Sequence, residues 1–351
     1  MTIPRINGRS RSSMSDFLKS HGSWLFALVL VLSSFFITSS SQAQEGRRLR
    51  AGYTSLSGNM LPLWAARDGG YFKKYGLDFD LISMPSGNEG MSALIAGELE
   101  FLAIAGSTTA SAAIGGADVV ALGTTVERLV AFLVVPPSIQ KPEELKGKSV
   151  GISRFGTSID TGARMAIQHY GLEPIKDVSI VQIGAVSSIL SAMRGGRIQA
   201  AILTYPSIIQ ARREGYLELL DIASLGTPYA STGITVRRSY LQQRRELVTN
   251  YVKAIVESIA RVKKDKPFAV DVMSKYLRTT DKEILEGTYD ISVTKYLKRV
   301  PWPTLEAFRS VVDELAQVNP KAKGQDPKRF YDDGILKELD KSGSISAVGG
   351  S

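Results

Sequence analysis

The sequence predicts an α/β protein built from two similar lobes, and three observations predict this class. Residues 49–104 and 148–203 match each other in order, so the chain carries an internal repeat. In each copy, short apolar segments alternate with helical ones, a pattern typical of βαβ units and a mostly parallel sheet. Two more apolar segments, 129–135 and 233–236, indicate that the chain passes from one lobe to the other and then returns.

The repeat is aligned by its glycines and by a short aromatic motif. Gly52 corresponds to Gly151, which lies 99 residues further on, and residues 75–77 (YGL) recur as 170–172 at an offset of 95. One gap of four residues reconciles the two offsets. A chain with only two copies predicts two equivalent lobes and not a long repeat array.

The alternation gives each element a place. The first copy predicts strands over 49–54, 78–83 and 101–105 and helices over 60–72 and 88–97. The second predicts strands over 148–153, 178–182 and 199–203 and helices over 159–170 and 186–195. Outside the copies we expect strands over 118–122, 129–135, 216–222 and 233–236, and helices over 241–262, 282–296, 304–318 and 330–339. Residues 49–125 plus 230–345 then form lobe I and residues 126–229 form lobe II, with two hinge crossings between them.

The N-terminus has the features of a secretory signal. An apolar run over 24–37 ends before the small-residue site Ser41-Gln42-Ala43, and it follows four basic residues, Arg5, Arg9, Arg11 and Lys19. The run is shorter than the ~20 residues that a membrane-spanning helix needs. We therefore predict that residues 1–43 are a signal peptide cleaved near Ala43 and that the protein is periplasmic. A retained N-terminal anchor and a start at Met14 are the alternatives.

Composition excludes several kinds of chemistry. The chain has no cysteine and two histidines, His21 inside the predicted leader and His169 in a predicted helix. Thiolate sites, disulfides and histidine-pair metal sites are thereby excluded, and we predict no metal, no cofactor and no catalytic residue. Loss of residues 1–43 changes the net charge from +9 to 9 − 4 + 1 = +6. The remaining basic residues are scattered without an aromatic platform, so nucleic acid is not a predicted partner.

Small polar loops follow the predicted strands of both copies. Ligands of open parallel sheets bind beyond the carboxyl ends of the strands, where helix N-termini gather. The six loops that would meet at one cleft are residues 54–59, 85–88, 105–109, 154–158, 184–187 and 204–206. Within them Asn59, Asn88, Ser158 and Ser187 are candidate N-caps, and Pro62 and Pro206 suit a first helical turn. Trp64 lies in an apolar context that predicts core packing.

Three runs of sequence carry a family resemblance. Residues 69–78 (GGYFKKYGLD), 93–101 (ALIAGELEF) and 143–151 (EELKGKSVG) resemble the nitrate/sulfonate/taurine-type substrate-binding proteins of ABC importers, close to the thiamine-precursor-binding group. The likeness covers about residues 49–265. It implies a type II periplasmic-binding-protein fold, with two lobes, parallel-rich sheets and two hinge crossings, which agrees with the pattern of the repeat.

The resemblance also implies candidate ligand contacts in the cleft loops. They are Ser55, Ser57, Asn59, Ser86, Ser107, Thr108, Arg154, Thr157, Ser158 and Tyr205. Arg154 and Arg128 are open between a contact with an anionic ligand and an ion pair between the lobes. Glu89 and Asp160 are the nearest acids.

The implied function is that of an exported solute-binding receptor, not an enzyme. It would act as a monomer, capture a small organic anion such as a sulfonate, nitrate or carboxylate by lobe closure, and deliver it to the permease of an ABC importer. A neutral pyrimidine-like vitamin precursor stacked on Tyr53, Phe155 or Tyr205 is the alternative solute. A periplasmic sensor is the alternative role. Some menaquinone-pathway enzymes and thiamine-pyrimidine synthases look like this fold, and the synthases resemble chains with a cysteine cluster, which this sequence lacks.

Overall fold

The computed structural model describes residues 48–185 and 188–349, so the predicted leader lies outside the described residues. From Leu49 onward the chain forms one compact unit. Within the described part, no helix has both the length and the apolar character that a membrane crossing requires.

Two five-stranded sheets organise the fold. The first has the strand order β2-β1-β3-β10-β4 and the second the order β7-β6-β8-β5-β9. In each sheet four strands run in one direction, and the strand that follows a crossing, β10 or β5, runs against them. The strands are β1 (Leu49–Tyr53), β2 (Phe79–Ser83), β3 (Phe101–Ile104), β4 (Val119–Val126), β5 (Phe132–Val135), β6 (Ser149–Ile152), β7 (Ser179–Gln182), β8 (Ala200–Leu203), β9 (Leu217–Asp221) and β10 (Thr232–Arg237).

The register of the sheets repeats as the sequence does. Gly52 pairs with Ile82 and Leu102, and Gly151 pairs with Val181 and Ala201, each partner lying 99 residues beyond its counterpart. The predicted α/β class with a mostly parallel arrangement is confirmed.

The glycines are explained by close packing from the next element. A Cβ on Gly52 would lie 2.6 Å from Leu99 Cδ1, and one on Gly151 would lie 2.3 Å from Ile198 Cδ1. Leu99 and Ile198 are themselves equivalent in the repeat. An aliphatic side chain at the equivalent position therefore covers the strand glycine in each copy. A side chain introduced at either glycine would have to displace that neighbour.

Two segments connect the sheets and lie side by side. The chain leaves the first sheet after Val126 and enters the second at Phe132. The strand predicted over 118–122 therefore extends four residues further, and the strand predicted over 129–135 begins three residues later than expected. The return segment runs from Asp221 to Thr232. Its Tyr229 N donates to Glu127 O of the outgoing segment at 3.2 Å. The predicted lobe boundaries at 125/126 and 229/230 stay a prediction.

Helices cover the sheets. They are α1 (Leu61–Asp68), α2 (Tyr71–Lys74), α3 (Gly87–Ile95), α4 (Gly106–Ile114), α5 (Ser158–His169), α6 (Ile189–Arg194), α7 (Ser207–Arg213), α8 (Arg238–Gln243), α9 (Arg245–Lys264), α10 (Lys266–Leu277), α11 (Lys282–Tyr289), α12 (Leu305–Val318), α13 (Gly334–Lys341) and α14 (Ser344–Gly349). Helices α9 and α10 pack on α1, and α12 packs on α4.

Several predicted helices are interrupted. The helix expected over 60–72 breaks at Gly70, whose φ of 74° lies in the left-handed region. The helix expected over 241–262 is divided between α8 and α9, and the one expected over 282–296 ends as α11 and continues as a π-helix over Asp290–Lys295. The helix expected over 330–339 begins at Gly334, after a 3₁₀ turn over Pro327–Phe330.

Four helices, α4, α7, α10 and α14, have no counterpart among the helix ranges predicted from the sequence. Helix α4 (GSTTASAAI) consists of small residues and lacks an amphipathic stripe, because its N-terminal half is buried. Helix α10 did carry a start signal, since Asp265 accepts a hydrogen bond from Phe268 N at 3.0 Å and Pro267 occupies the first turn. Trp64 on α1 is fully buried and stacks on Tyr276 with ring centroids 4.8 Å apart, so its predicted core position is confirmed.

Candidate ligand-binding site

A cavity of about 60 Å³ lies where the carboxyl ends of the strands of both sheets meet the crossing segments. One water molecule needs roughly 10–15 Å³, so the cavity has room for several waters or one small solute. Its lining consists of Thr54, Ser55, Ser57, Asn59, Met60, Gly87, Ile104, Ala105, Thr108, Leu129, Val130, Ala131, Ser153, Thr157, Ser158, Ile159, Thr204, Ser231 and Thr232.

The loop after β1 supplies three of the predicted residues. Ser55, Ser57 and Asn59 all line the cavity, and the hydroxyls of Ser55 and Ser57 lie 3.0 Å apart. Asn59 sits inside a 3₁₀ turn over Gly58–Met60 that has Ser57 at its N-cap position, so the predicted cap at Asn59 is wrong. Pro62 in the first turn of α1 is confirmed.

The N-termini of α3 and α4 approach the cavity from the same side. Ser86 is the N-cap of α3 and accepts from Glu89 N at 3.3 Å, which makes the cap predicted at Asn88 wrong by two residues. Gly87 and Ala105, at the starts of α3 and α4, line the cavity. Backbone N–H groups in the first turn of a helix lack intrahelical partners and suit an anion.

Thr108 carries the least ordinary feature of the site. Its side chain lines the cavity and is 4% exposed, and its Oγ1 has no hydrogen-bond partner. Leaving a buried hydroxyl unpaired costs about 1–3 kcal/mol. A residue that lines a cavity and carries an unpaired, buried hydroxyl is well placed to bond whatever the cavity holds.

The second sheet contributes the start of α5. Thr157 and Ser158 line the cavity as predicted, and Thr157 Oγ1 donates to Arg154 O at 2.8 Å. Thr157, not Ser158, occupies the N-cap position. The cap predicted at Ser187 lies outside the described residues.

Four predicted contacts do not line the cavity, namely Ser86, Ser107, Tyr205 and Arg154. Ser86 is engaged as a helix cap, and Ser107 is fully buried with its hydroxyl near that of Tyr229. Tyr205 is buried against Phe132, with ring centroids 5.5 Å apart.

Arg154 pairs across the cleft instead of pointing into it. Its guanidinium lies 2.6 Å from Glu89 Oε1, and beside it Asn88 Nδ2 donates to Phe155 O at 3.2 Å. These two contacts join α3, which covers the first sheet, to the loop after β6 of the second sheet. Arg128 donates to the neighbouring Glu127 O and is likewise absent from the lining.

The crossing segments supply residues that the sequence reasoning missed. Leu129, Val130 and Ala131 of the outgoing segment, with Ser231 and Thr232 of the return segment, all line the cavity. Their only signal in the sequence was their position between two apolar strands, which predicted a connection and not a contact.

The cavity is polar without being charged. Among the residues that the structure describes, no ionisable side chain lines it, and no group of acids and histidines forms a metal site. The buried acid Asp160, next to the lining residue Ile159, accepts from Gly156 N and pairs with the Arg164 guanidinium, and burial raises its pKa. Hydroxyls and backbone N–H groups are therefore the available donors.

The alternative aromatic platforms lie elsewhere. Tyr53 packs edge-on against Trp64 at a centroid distance of 5.6 Å, and Phe155 is 42% exposed. No aromatic ring occurs among the described residues that line the cavity. A stacked pyrimidine has no ring to stack on in this arrangement.

Comparison with known proteins identifies the family and the fold of the chain. A family model described as NMT1/THI5 like matches residues 57–267, more than half of the chain. The chain belongs to the NMT1/THI5-like family. This NMT1/THI5-like chain is 22% identical, over 79% of its length and 84% of the relative's, to a Bacillus subtilis protein named "Putative binding protein YtlA". It is 25% identical to the taurine-binding periplasmic protein of Escherichia coli, over 55% of this chain and 60% of that one.

A solved structure shares the fold of the NMT1/THI5-like chain. The periplasmic nitrate-binding protein NrtA from Synechocystis PCC 6803 superposes with a TM-score of 0.69 at 13% identity, covering 84% of this chain and 88% of NrtA. The predicted periplasmic-binding-protein fold is thereby confirmed, and so is the family resemblance.

Proposed function

We propose that the protein is an extracytoplasmic receptor that captures a small organic anion by closing two lobes and delivers it to the permease of an ABC importer. At a coarser level the chain is a substrate-binding protein of the periplasmic-binding-protein type and not an enzyme. The observation that carries the proposal is the unpaired, buried hydroxyl of Thr108, a residue that lines a cavity where helix N-termini converge.

The donor set of the cavity favours an anion. The cavity offers hydroxyls of both sheets together with the helix starts at Gly87, Ala105 and Ser158. Helix N-termini carry roughly half a positive charge each and have free N–H groups. A sulfonate, nitrate or carboxylate presents two or three acceptor oxygens that match these donors, and the net charge of +6 left after the predicted leader adds attraction at longer range.

Lobe closure follows from the distribution of the donors. Since both sheets and both crossing segments contribute to one cavity, a solute bonds both lobes only when they are together, and its differential contacts stabilise that state. A permease can then distinguish the closed receptor by its shape. Small-angle scattering with and without a saturating solute measures this directly, and an unchanged radius of gyration would contradict closure.

The solute class is tested by a thermal-shift screen of alkyl sulfonates, nitrate, carboxylates and pyrimidines. A bound solute raises the melting temperature by mass action, so anions are expected to raise it and pyrimidines are not. The reverse pattern would refute the anion assignment.

Thr108 is tested with the solute that the screen identifies. Thr108→Val removes the unpaired hydroxyl, so the free protein should be as stable as the parent or slightly more stable. Its affinity for the solute should fall about 10-fold or more, because a hydrogen bond to a charged group contributes ~1.5–3 kcal/mol. Thr109→Val is the matched control, because Thr109 Oγ1 already has a partner in Thr235 Oγ1 at 2.8 Å. It should lower stability and leave solute affinity unchanged. Equal solute affinities for the parent and Thr108→Val would show that the Thr108 hydroxyl does not bond the solute.

A further inference from the structure

A half-buried carboxylate lies where the helical layers of the two sheets meet the return crossing. Glu314, on α12, is a partly buried acid whose Oε2 accepts from Thr161 Oγ1 of α5 at 3.1 Å and from Tyr229 OH of the crossing segment at 3.4 Å. Thr161 and Tyr229 are 2% and 1% exposed, and their hydroxyl oxygens lie 3.0 Å apart. We call Glu314, Thr161 and Tyr229 the junction.

The junction links the two sides of the cleft. Helix α12 packs on α4 of the first sheet, whereas α5 covers the second sheet and begins at the cavity. Thr161 Oγ1 also lies 3.2 Å from Thr157 O, one turn earlier, so its single proton can go to Thr157 O or to Glu314, and Thr157 lines the cavity. A change at Glu314 therefore has a short hydrogen-bonded route to the solute site.

Burial raises the pKa of the Glu314 carboxyl to about 7. The charged groups that face it come from α5: Asp160 raises the pKa further and Arg164 lowers it, while the Thr161 hydroxyl also lowers it. Helix α4 (GSTTASAAI) has no charged residue, and the crossing contributes the neutral Tyr229 hydroxyl. Glu314 thus changes its charge near neutral pH.

We infer that protonation of Glu314 stabilises the packed junction, so that the arrangement of the two lobes is regulated by pH. This inference rests on the lobe movement of the proposed function. Separation of α12 from α5 would return the carboxyl to water, where the ordinary pKa is 4.5. Packing then takes up a proton between pH 4.5 and about 7. The stabilisation of the packed junction by the proton is therefore complete below this window, and it is lost as the pH rises through about 7.

The expected effect is large enough to measure. With these two pKa values, the packed-to-separated equilibrium constant falls by about tenfold between pH 6 and pH 8.5. The chain has no cysteine, so spin labels can be placed at Ile95→Cys on α3 and Ser179→Cys on β7 without removing a native thiol. Both positions are exposed. Pulsed electron paramagnetic resonance then measures the distribution of distances between the two labels, one on each lobe, in the absence of solute.

Glu314→Gln is the decisive variant, because it keeps the shape of the side chain and abolishes its titration. In the doubly labelled protein, the packed fraction should fall as the pH rises from 6 to 8.5, and in Glu314→Gln it should stay constant. Asp313→Asn, one residue earlier and exposed, should follow the parent. A parent distribution that ignores pH, or a Glu314→Gln variant that keeps the parent's pH response, would overturn the inference.

Thermal unfolding separates this inference from the proposed function. If the buried carboxyl titrates, the parent should lose stability relative to Glu314→Gln over the same pH range. A thermal effect with no change in the distances would overturn the coupling to the lobes and leave the solute site untouched. Failure of a solute to close the lobes in scattering would count against the proposed function alone, since the distance measurement needs no solute.

Discussion

The ion pair between Glu89 and Arg154 should act on lobe closure and not on solute recognition. The pair spans the cleft at 2.6 Å, and neither side chain lines the cavity. Arg154→Gln and Glu89→Gln each remove it. Because the two side chains are 40% and 38% exposed, the pair resembles an exposed salt bridge, whose contribution is ~0.2–1 kcal/mol.

That energy fixes the size of the expected effect. If the pair exists only in the closed state, its loss weakens solute binding by about 1.4- to 5-fold. The two substitutions should give similar losses, and the double variant should be no worse than either single one, because both remove the same interaction. The difference from the parent should shrink in 0.5 M salt, since exposed charges are screened. Asn88 and Phe155, which also bond across the cleft, retain part of the closure in all variants.

Isothermal titration calorimetry with the solute from the screen measures these affinities. Arg194→Gln is the matched control: Arg194 and Glu214 form an ion pair of nearly the same exposure, 43% and 37%, but both belong to the second sheet's side of the cleft. It should leave the affinity unchanged. A loss much greater than 5-fold for Arg154→Gln, with no loss for Glu89→Gln, would refute the reasoning and make Arg154 a direct ligand contact.

Two further predictions concern residues outside the cavity, a glycine between two strands and an ion pair. Gly233→Ala would place a Cβ 2.1 Å from Gly123 O, so we expect a loss of stability of ~2 kcal/mol or more in thermal unfolding, and a parent-like melting temperature would contradict the close approach of these strands. Hydrogen bonds from Arg213 lower the pKa of Asp281 to about 2, so Arg213→Gln should move the carboxyl's NMR titration midpoint up towards 3.8. The Arg213–Asp281 interaction is present above that ordinary value and is lost as the pH falls towards 2, and an unshifted midpoint would exclude it.

The repeat was the part of the fold most open to prediction. Gly52 and Gly151 keep their positions because a side chain from the following helix–strand turn, Leu99 or Ile198, covers each of them. A packing constraint that occurs twice leaves the same residues twice in the sequence. Hydroxyl-rich loops after parallel strands were predictable for a similar reason, since the topology itself brings those loops together.

The crossing segments were not predictable in this way. Leu129 and Ser231 line the cavity because the two lobes fold towards their own connection, which is a contact over long range with no local pattern. Arg154 illustrates the same limit, because its loop position suits a ligand contact as well as an ion pair. Only the position of Glu89 on the opposite helix distinguishes the two.

The location of charge separates recognition from closure in this protein. The described residues of the cavity offer hydroxyls and amides, which do not titrate near neutral pH and carry no net charge. The groups that respond to salt and to pH, the Glu89–Arg154 pair and Glu314, lie outside the cavity lining, the pair across the cleft and Glu314 at the junction. Dependence of affinity on pH therefore measures how readily the lobes come together, whereas dependence on salt also reports the long-range attraction between the net charge and an anionic solute. The choice among solutes rests on hydroxyls such as that of Thr108, whose geometry does not change with either condition.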